Sequence, residues 1–213
     1  MDEYLTFGIY CFTTFITIIN PLSIMPVYLT MTSTLTPQAA RNTAIRAVIT
    51  ALVTMVLFAF LGEALFKFFK ITTNGLKVAG GIIFLLMGMD MLQARLSSFK
   101  VKKNEVKTYV NDISITPLGI PMICGPGAIT NSIILMNNAE TSAMKMVLIT
   151  VMFLIALITL IVLISSRKIL KVIGETGNTV MMRIMGLIVM VVAIELFFSG
   201  LKPIIRDILL INP

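Results

Sequence analysis

Residues 19–24 read Ile-Asn-Pro-Leu-Ser-Ile, and residues 115–120 read Ile-Thr-Pro-Leu-Gly-Ile. Both stretches lie inside long apolar segments, and four of the six positions are identical. A proline after a small polar residue in such a segment predicts a helix that breaks inside a lipid bilayer, where unpaired backbone groups cost several kcal/mol each. Two matching breaks in two halves of a chain are typical of the binding site of a secondary transporter.

The composition is that of a protein embedded in a lipid bilayer. Apolar residues make up 57% of the 213 residues, charged residues make up 13%, and the mean hydropathy is +0.98. Ordinary soluble domains carry about 25% charged residues. The apolar residues come in runs of about 20, the length that crosses a hydrocarbon core as a helix. The sequence therefore predicts an all-α polytopic membrane protein with a single transmembrane domain.

Six transmembrane helices are predicted, and their positions can be read from the apolar runs. They lie at about residues 5–31, 44–66, 75–94, 112–138, 144–165 and 180–201, and the fourth follows a basic loop at about 95–111. Helix 1 is expected to be discontinuous at Asn20-Pro21 and again near Pro26. Helix 4 is expected to be discontinuous at Pro117, Pro121 and Gly125-Pro126-Gly127.

The distribution of Lys and Arg predicts the orientation. With the N-terminus outside, eleven basic residues fall on the inner side: Arg41, Arg46, Arg95, Lys100, Lys102, Lys103, Lys107, Arg167, Lys168, Lys171 and Arg183. Six fall on the outer side: Lys67, Lys70, Lys77, Lys145, Lys202 and Arg206. Because Lys and Arg are retained on the cytoplasmic side, the count favours both termini outside.

The chain contains a weak internal repeat of three helices, at about residues 5–94 and 112–201. Gly81, Gly88 and Asp90 of helix 3 are echoed 105 positions later in helix 6 by Gly186, Ala193 and Glu195. An odd number of spans inverts the second copy, so the sequence predicts two inverted three-helix repeats whose breaks meet near the midplane. The alternative interpretation is that each proline only kinks its helix.

The second break has the residues of an anion site. Pro126 suits the first position of a helix, and Gly125 and Gly127 let the backbone approach a ligand. The N–H groups of Gly127, Ala128 and Ile129 are then expected to point at a carboxylate, which a helix N-terminus attracts. Thr130 and Asn131 would add side-chain contacts.

The first break and its echo supply further candidate substrate contacts. These are Asn20, Pro21 and Ser23 in helix 1 and Thr116 and Pro117 in helix 4. For Asn20 and Thr116, capping of the broken backbone is an equally weighted alternative. No bulky charged residue lies in either break, which favours a substrate with a small neutral side chain.

Asp90 and Glu195 are acids inside predicted helices, and such groups are candidates for carrying a coupling proton. Each lies near the end of its predicted span, so an interfacial acid paired with Lys or Arg is the alternative. Gly81, Gly88 and Gly186 are predicted to bring helices into close contact.

Several classes of function are disfavoured by missing residues. The chain has no His and two Cys, Cys11 and Cys124, so the usual zinc and copper ligands are lacking and no metal site is predicted. It has no phosphate-binding loop that ends in Gly-Lys-Ser/Thr. Its net charge of +7 is spread over the loops, which argues against nucleic acid as a partner. We expect no enzyme activity and no cofactor beyond a coupling H+ or Na+.

The motifs resemble those of the MarC family of bacterial and archaeal membrane proteins. The matching pieces, in order, are Asn20-Pro21 with Pro26, Arg41-Asn42, Ala79-Gly80-Gly81-Ile82, Pro117-Leu118 with Pro121, Gly125-Pro126-Gly127-Ala128-Ile129, Arg183-Ile184-Met185-Gly186-Leu187 and Ile194-Glu195. The resemblance implies six spans in the cytoplasmic (inner) membrane, a fold allied to the LysE-type exporters, and, from archaeal relatives, cation-driven transport of glycine and alanine.

The residues and the resemblance together predict a secondary transporter of small neutral amino acids such as glycine, alanine and serine, coupled to protons or sodium. An exporter of other small metabolites or toxic compounds is the first alternative, and a small-ion channel or a structural subunit is less favoured. The direction of transport, the coupling ion and whether the chain forms a homo-oligomer are left open by the sequence.

Overall fold

The computed structural model describes residues 3–93 and 112–209, with the backbone alone at 170–173 and 175. The predicted basic loop at about 95–111 lies outside the described residues. Every regular element in the described ranges is helical, and they contain no strand. The predicted all-α architecture is therefore confirmed.

Eight helical elements follow one another along the described chain. They are α1 (Glu3–Ile19), α2 (Pro21–Met31), α3 (Pro37–Phe69), α4 (Thr73–Leu92), the π-helical α5 (Ser114–Ile123), α6 (Pro126–Asn138), α7 (Ser142–Ile169) and α8 (Thr176–Ile208). Helices α7 and α8 run into each other without a loop and change direction at Gly174, whose φ of 69° is a conformation that glycine adopts at no steric cost.

Three of these helices begin at a threonine that caps them. The hydroxyl groups of Thr36, Thr72 and Thr141 each accept a hydrogen bond from the backbone N–H three residues further on, at 3.0–3.2 Å. A cap of this kind satisfies one of the free N–H groups of the first turn and fixes where the helix starts.

Five helical segments of the described chain are long and apolar enough to cross a membrane, with α1 and α2 taken together as Glu3–Met31. The pair α5 and α6, bent by 58° at the short break between them, makes a sixth if it forms one span. The chain is thus a multi-pass membrane protein with five or six spans.

Helix α2 lies at the centre of the protein. Nearly all of its side chains are buried, among them Tyr28, whose hydroxyl donates to the carbonyl of Ala40 in α3 at 2.9 Å. Arg167 at the end of α7 donates to the carbonyls of Thr32 and Leu35, just beyond the C-terminus of α2, at 3.0 and 2.9 Å. These bonds tie the C-terminal end of α2 to its neighbours.

Helices α4 and α8 pack against each other at the edge of the bundle. A methyl group on Gly81 would lie 2.8 Å from the carbonyl oxygen of Ala193, and one on Gly88 would lie 3.0 Å from that of Gly186. Small residues at these positions let the two backbones approach closely. The α8 span is otherwise the least buried, since 17% of its apolar segment lies inside the protein compared with 39% for α7.

Candidate functional site

The first break is a single residue between α1 and α2. Asn20 has a left-handed backbone with φ 42° and ψ 73°, a conformation that asparagine tolerates better than most residues. Its N–H closes the last turn of α1 on the carbonyl of Ile16 at 3.0 Å, and Pro21 starts α2. The Asn20 side chain makes no capping hydrogen bond, so it does not stabilise the start of α2 in that way.

Ser23 lies in the first turn of α2 and is buried. Its hydroxyl donates to the sulfur of Met185 in α8 at 3.4 Å, and a thioether is a weak acceptor. The hydroxyl of Ser23 beside the break therefore makes only a weak hydrogen bond.

The second region of breaks is more irregular than the first. Within α5, Thr116 and Ile120 have extended backbone conformations, and each precedes a proline, which disfavours helical conformation in the residue before it. Thr116 is exposed and Pro117 is half-buried. Pro117 therefore lies inside an irregular segment, and the helix that follows starts nine residues later, at Pro126.

The start of α6 is closely surrounded. A methyl group on Gly80 of α4 would clash with the ring of Pro126. A methyl group on Gly125 would clash with the ring of Phe84 and would lie 2.7 Å from the carbonyl oxygen of Pro121. The glycines therefore make room for the N-terminus of α6 against α4.

The N-terminus of α6 has no side-chain cap. Ile129 donates its N–H to the carbonyl of Gly125 at 3.0 Å and so closes the first turn. The prediction that Ile129 offers its N–H to a ligand is therefore wrong, because that group belongs to the first hydrogen bond of the helix. The N–H groups that lie before this bond belong to Gly127 and Ala128.

Thr130 supplies a polar side chain one turn further on. It is fully buried, and its hydroxyl has no hydrogen-bond partner. Side chains on a helix lean toward its N-terminus, so the side chain of Thr130 is expected to lean toward the first turn of α6. Asn131, which is half-buried, donates instead to the carbonyl of Gly127 at 2.9 Å.

A cavity of about 50 Å³, with room for about four water molecules, lies beside the first break. Its polar lining includes Asn20 and Ser23, and its apolar lining includes Phe84, Met87, Met122 and Val189. The residues from Gly125 to Asn131 do not line it. The two regions nevertheless touch, since a methyl group on Gly127 would lie 3.1 Å from Ile18, a cavity residue near the end of α1.

The two acids lie elsewhere. Asp90 in α4 and Glu195 in α8 are exposed on the surface of the chain, and neither lines the cavity. The described residues contain no group of three or more His, Cys, Asp or Glu side chains placed to hold a metal ion. Cys11 and Cys124 are both buried and free.

The sequence matches the MarC family of integral membrane proteins over residues 5–205. The chain belongs to the MarC family. The resemblance carried by the motifs at both breaks is thereby confirmed, and these breaks are features of a MarC protein.

Its similar relatives come from both archaea and bacteria. A UPF0056 membrane protein of Pyrococcus abyssi is 34% identical over 185 residues, which cover 87% of this chain and 89% of the relative. One from Methanocaldococcus jannaschii is 32% identical over 200 residues, covering 93% and 97%. The UPF0056 membrane protein YhcE of Escherichia coli is 30% identical over 194 residues, covering 90% of each chain. No solved structure matches this MarC protein.

Sequence reasoning did not single out Phe84 or Ile18, which line the cavity and also lie against the start of α6. In an apolar helix, a phenylalanine or isoleucine that lines a cavity cannot be distinguished by sequence pattern from one that faces lipid or lies in the core. The one available signal was helical spacing, because Gly80 and Phe84 share a face of α4 that packs against the Gly125-Pro126-Gly127 motif.

Proposed function

We propose that this MarC protein is a secondary transporter of small neutral amino acids, which bind between the C-terminus of α1 and the N-terminus of α6. The observation that carries the proposal is the contact between Ile18 and Gly127, which brings opposite ends of two helices together beside a cavity. A helix C-terminus presents carbonyl oxygens and partial negative charge, and a helix N-terminus presents N–H groups and partial positive charge. A zwitterionic amino acid complements both.

The carboxylate of the substrate is assigned to α6. The N–H groups of Gly127 and Ala128 have no cap from a side chain, and Thr130 adds a buried hydroxyl without a partner. A buried polar group that lacks a partner costs about 1–3 kcal/mol, which a bound carboxylate would recover. Three donors at one uncapped helix end favour an anionic group there.

The ammonium group is assigned to the first break. The last residues of α1 from Thr17 to Ile19 line the cavity together with Asn20, whose side-chain oxygen is not used for capping. Carbonyl and amide oxygens are acceptors that suit an ammonium group. The small cavity and its apolar walls leave space for a short, uncharged side chain.

We further propose that the two halves are inverted repeats. Structural landmarks recur 105 positions apart: the helix starts Pro21 and Pro126, the caps Thr36 and Thr141, and the packing residues Gly81 and Gly186. On this register Pro126, and not Pro117, is the counterpart of Pro21, although the local sequence around Pro117 is more similar.

The packing of α4 on α8 supports this register. Gly81 approaches Ala193 and Gly88 approaches Gly186, so each repeat contributes its first small residue to one contact and its second to the other. Reciprocal contacts of this kind are those expected across a two-fold axis. With three spans in each repeat, the axis lies in the membrane plane, which is the arrangement of many secondary transporters.

The coupling ion is proposed to be a proton or a sodium ion, and Asp90 and Glu195 stay candidates for the proton. Their exposed positions mean that such a role requires water or another chain to reach them. Replacing Asp90 by Asn or Glu195 by Gln should then abolish the dependence of flux on a proton gradient and leave exchange at equal pH intact.

The proposed function is tested by reconstituting the purified protein in liposomes and measuring the flux of glycine, alanine and serine, with and without imposed proton and sodium gradients. We expect saturable flux that excess unlabelled substrate inhibits. A screen of thermal stability against amino acids and other metabolites serves as the second measurement, because a ligand of the folded state raises its stability. If no flux is found and an unrelated metabolite stabilises the protein, that metabolite becomes the candidate substrate in place of amino acids.

A further inference from the structure

Phe84 occupies an unusual position in α4. It is half-buried, its ring tip lies against Gly125 at the start of α6, and it also lines the cavity beside Asn20. A methyl group on Gly125 would collide with Cζ of Phe84 and would lie 2.9 Å from its Cε1. The ring therefore fills the space beside Gly125, the N-cap residue of α6.

The lining of the cavity shows the consequence of this position. Asn20 and Ser23 reach the cavity, whereas no residue from Gly125 to Asn131 does. Ile18, which also lines the cavity, lies against Gly127. Phe84 and Ile18 thus line the cavity on one side and lie against the start of α6 on the other, and these two side chains are called the apolar partition below.

We propose that Phe84 is the residue that determines the size of substrate this MarC protein accepts. This inference rests on the proposed function, since the ring must swing away from Gly125 for a carboxylate to reach α6. An aromatic side chain has only two rotatable bonds, so the ring has few places to go. It then forms the wall against the substrate side chain, together with Met87 and Met91, which follow it along α4 and line the same cavity.

Phe84 is better suited to this role than the other cavity residues. Met87 and Met91 are flexible and adapt their shape to a ligand, which makes them poor at excluding larger ones. Val189 and Ile188 lie on α8, and the atoms nearest to a methyl group on Gly125 or Gly127 belong to other residues. Among the α4 side chains that line the cavity, the ring of Phe84 is the one that contacts Gly125.

The selectivity test compares the wild-type protein with Phe84→Ala and Phe84→Leu in liposomes. Initial rates are measured for glycine, alanine, valine and leucine. We expect the ratio of leucine to glycine transport to rise at least tenfold in Phe84→Ala and by a smaller factor in Phe84→Leu. Phe198→Ala, which removes an exposed ring from α8, is the matched control and should leave the ratio unchanged. An unchanged ratio in a folded, active Phe84→Ala protein overturns the assignment.

A second measurement does not depend on transport. Cys124 is fully buried and directly precedes Gly125, so it reports whether the partition is open. With Cys11 replaced by Ser, Cys124 is the single thiol of the chain, and its rate of labelling by methyl methanethiosulfonate can be followed by mass spectrometry. We expect labelling at least tenfold faster in Phe84→Ala than with Phe84 present. Phe15→Ala, which removes a buried ring that does not line the cavity, controls for general loosening.

The two measurements separate the possible failures. If the wild-type protein moves no amino acid, the proposed function fails, and labelling alone then decides whether Phe84 separates the two regions. If Cys124 reacts equally fast with and without the ring of Phe84, or equally fast in Phe15→Ala and Phe84→Ala, the partition does not exist and the inference is overturned.

Discussion

Buried threonines in this protein differ in where their hydroxyl groups are satisfied. In α3 and α7, the hydroxyls of Thr43 and Thr159 donate to the carbonyl four residues earlier, at 3.0 and 2.8 Å. Thr130 in α6 is equally buried, but its hydroxyl has no partner. Natural proteins tolerate such a cost mainly where a group serves a function.

Replacing Thr130 by Val should therefore stabilise the protein and impair its function. Valine has nearly the same shape without the hydroxyl, so the free energy of unfolding should rise by about 1 kcal/mol because no hydrogen bond is lost. Substrate affinity should fall about tenfold, which corresponds to about 1.4 kcal/mol. Thermal unfolding in detergent and ligand-induced stabilisation measure the two effects. As a control, Thr159→Val should destabilise the protein and leave affinity unchanged; the opposite order would show that Thr130 is an ordinary core residue.

Asn20 combines a backbone role with a proposed contact, and substitutions can separate the two. Asn20→Gly keeps the left-handed backbone available at no steric cost, whereas Asn20→Ala adds a strain of about 1 kcal/mol. We expect Asn20→Gly to fold with nearly wild-type stability and to lose at least tenfold in substrate affinity. Full affinity in Asn20→Gly would mean that the break matters only for the path of the chain.

At the scale of the element, contacts near its ends restrict the position of helix α2. Its N-terminus begins at the first break, and its C-terminus is tied by Arg167 to the carbonyls of Thr32 and Leu35. A guanidinium at this end also complements the partial negative charge of a helix C-terminus. Any movement of the C-terminal end of α2 away from α7 must break these two bonds.

Arg167→Gln should lower the free energy of unfolding by about 2–3 kcal/mol, because charged hydrogen bonds of this kind contribute about 1.5–3 kcal/mol each and a neutral amide replaces them only in part. Arg167→Lys should have a smaller effect, since it keeps the charge and loses the planar fork. Lys168→Gln, at an exposed neighbouring position, is the control and should change stability by less than about 0.5 kcal/mol. Equal stabilities for all three variants would show that the two bonds do not hold α2.

At the scale of the whole molecule, the number of spans depends on the bent pair α5 and α6. If the pair forms one span, Asp112 and Asn138 lie on opposite sides of the membrane; if it re-enters, they lie on the same side. Single cysteines at these positions, in a chain whose native cysteines are replaced by Ser, can be labelled with a membrane-impermeant maleimide in intact cells. We expect Asn138→Cys to react from outside and Asp112→Cys to react only after lysis. Reaction of both from one side would reduce the count to five spans.

Much of this architecture is readable from the sequence, for physical reasons that differ between elements. The positions of the spans follow from apolar runs. The helix starts at Pro37 and Ser142, which threonine caps fix, lie before the predicted starts of the spans at about 44 and 144. Helix α8 continues to Ile208, past the predicted end of the last span near residue 201, through Pro203 and with charged residues in its last turns. Polarity marks the edge of the hydrocarbon layer, and a helix can extend beyond that edge.

The candidate site was only partly predictable. The sequence placed its elements at Asn20 and Gly125-Pro126-Gly127, because proline and glycine act on the backbone locally. It paired Pro21 with Pro117 from their similar neighbours, whereas the helix restarts at Pro126. It also missed Phe84, because which face of α4 meets α6 is decided by tertiary packing and not by the pattern along the helix.

The close approach of α4 to α8 has a consequence for any change of shape in the membrane. With Gly88 and Gly186 in near backbone contact, neither helix can slide or rotate alone without a collision. In any such change, Met87 of α4 and Val189 of α8, which both line the cavity, would then move together as one rigid unit relative to α1. Gly174 stands in open space where α8 leaves α7, so the dihedral angles of this residue offer a hinge on the α8 side of such a movement.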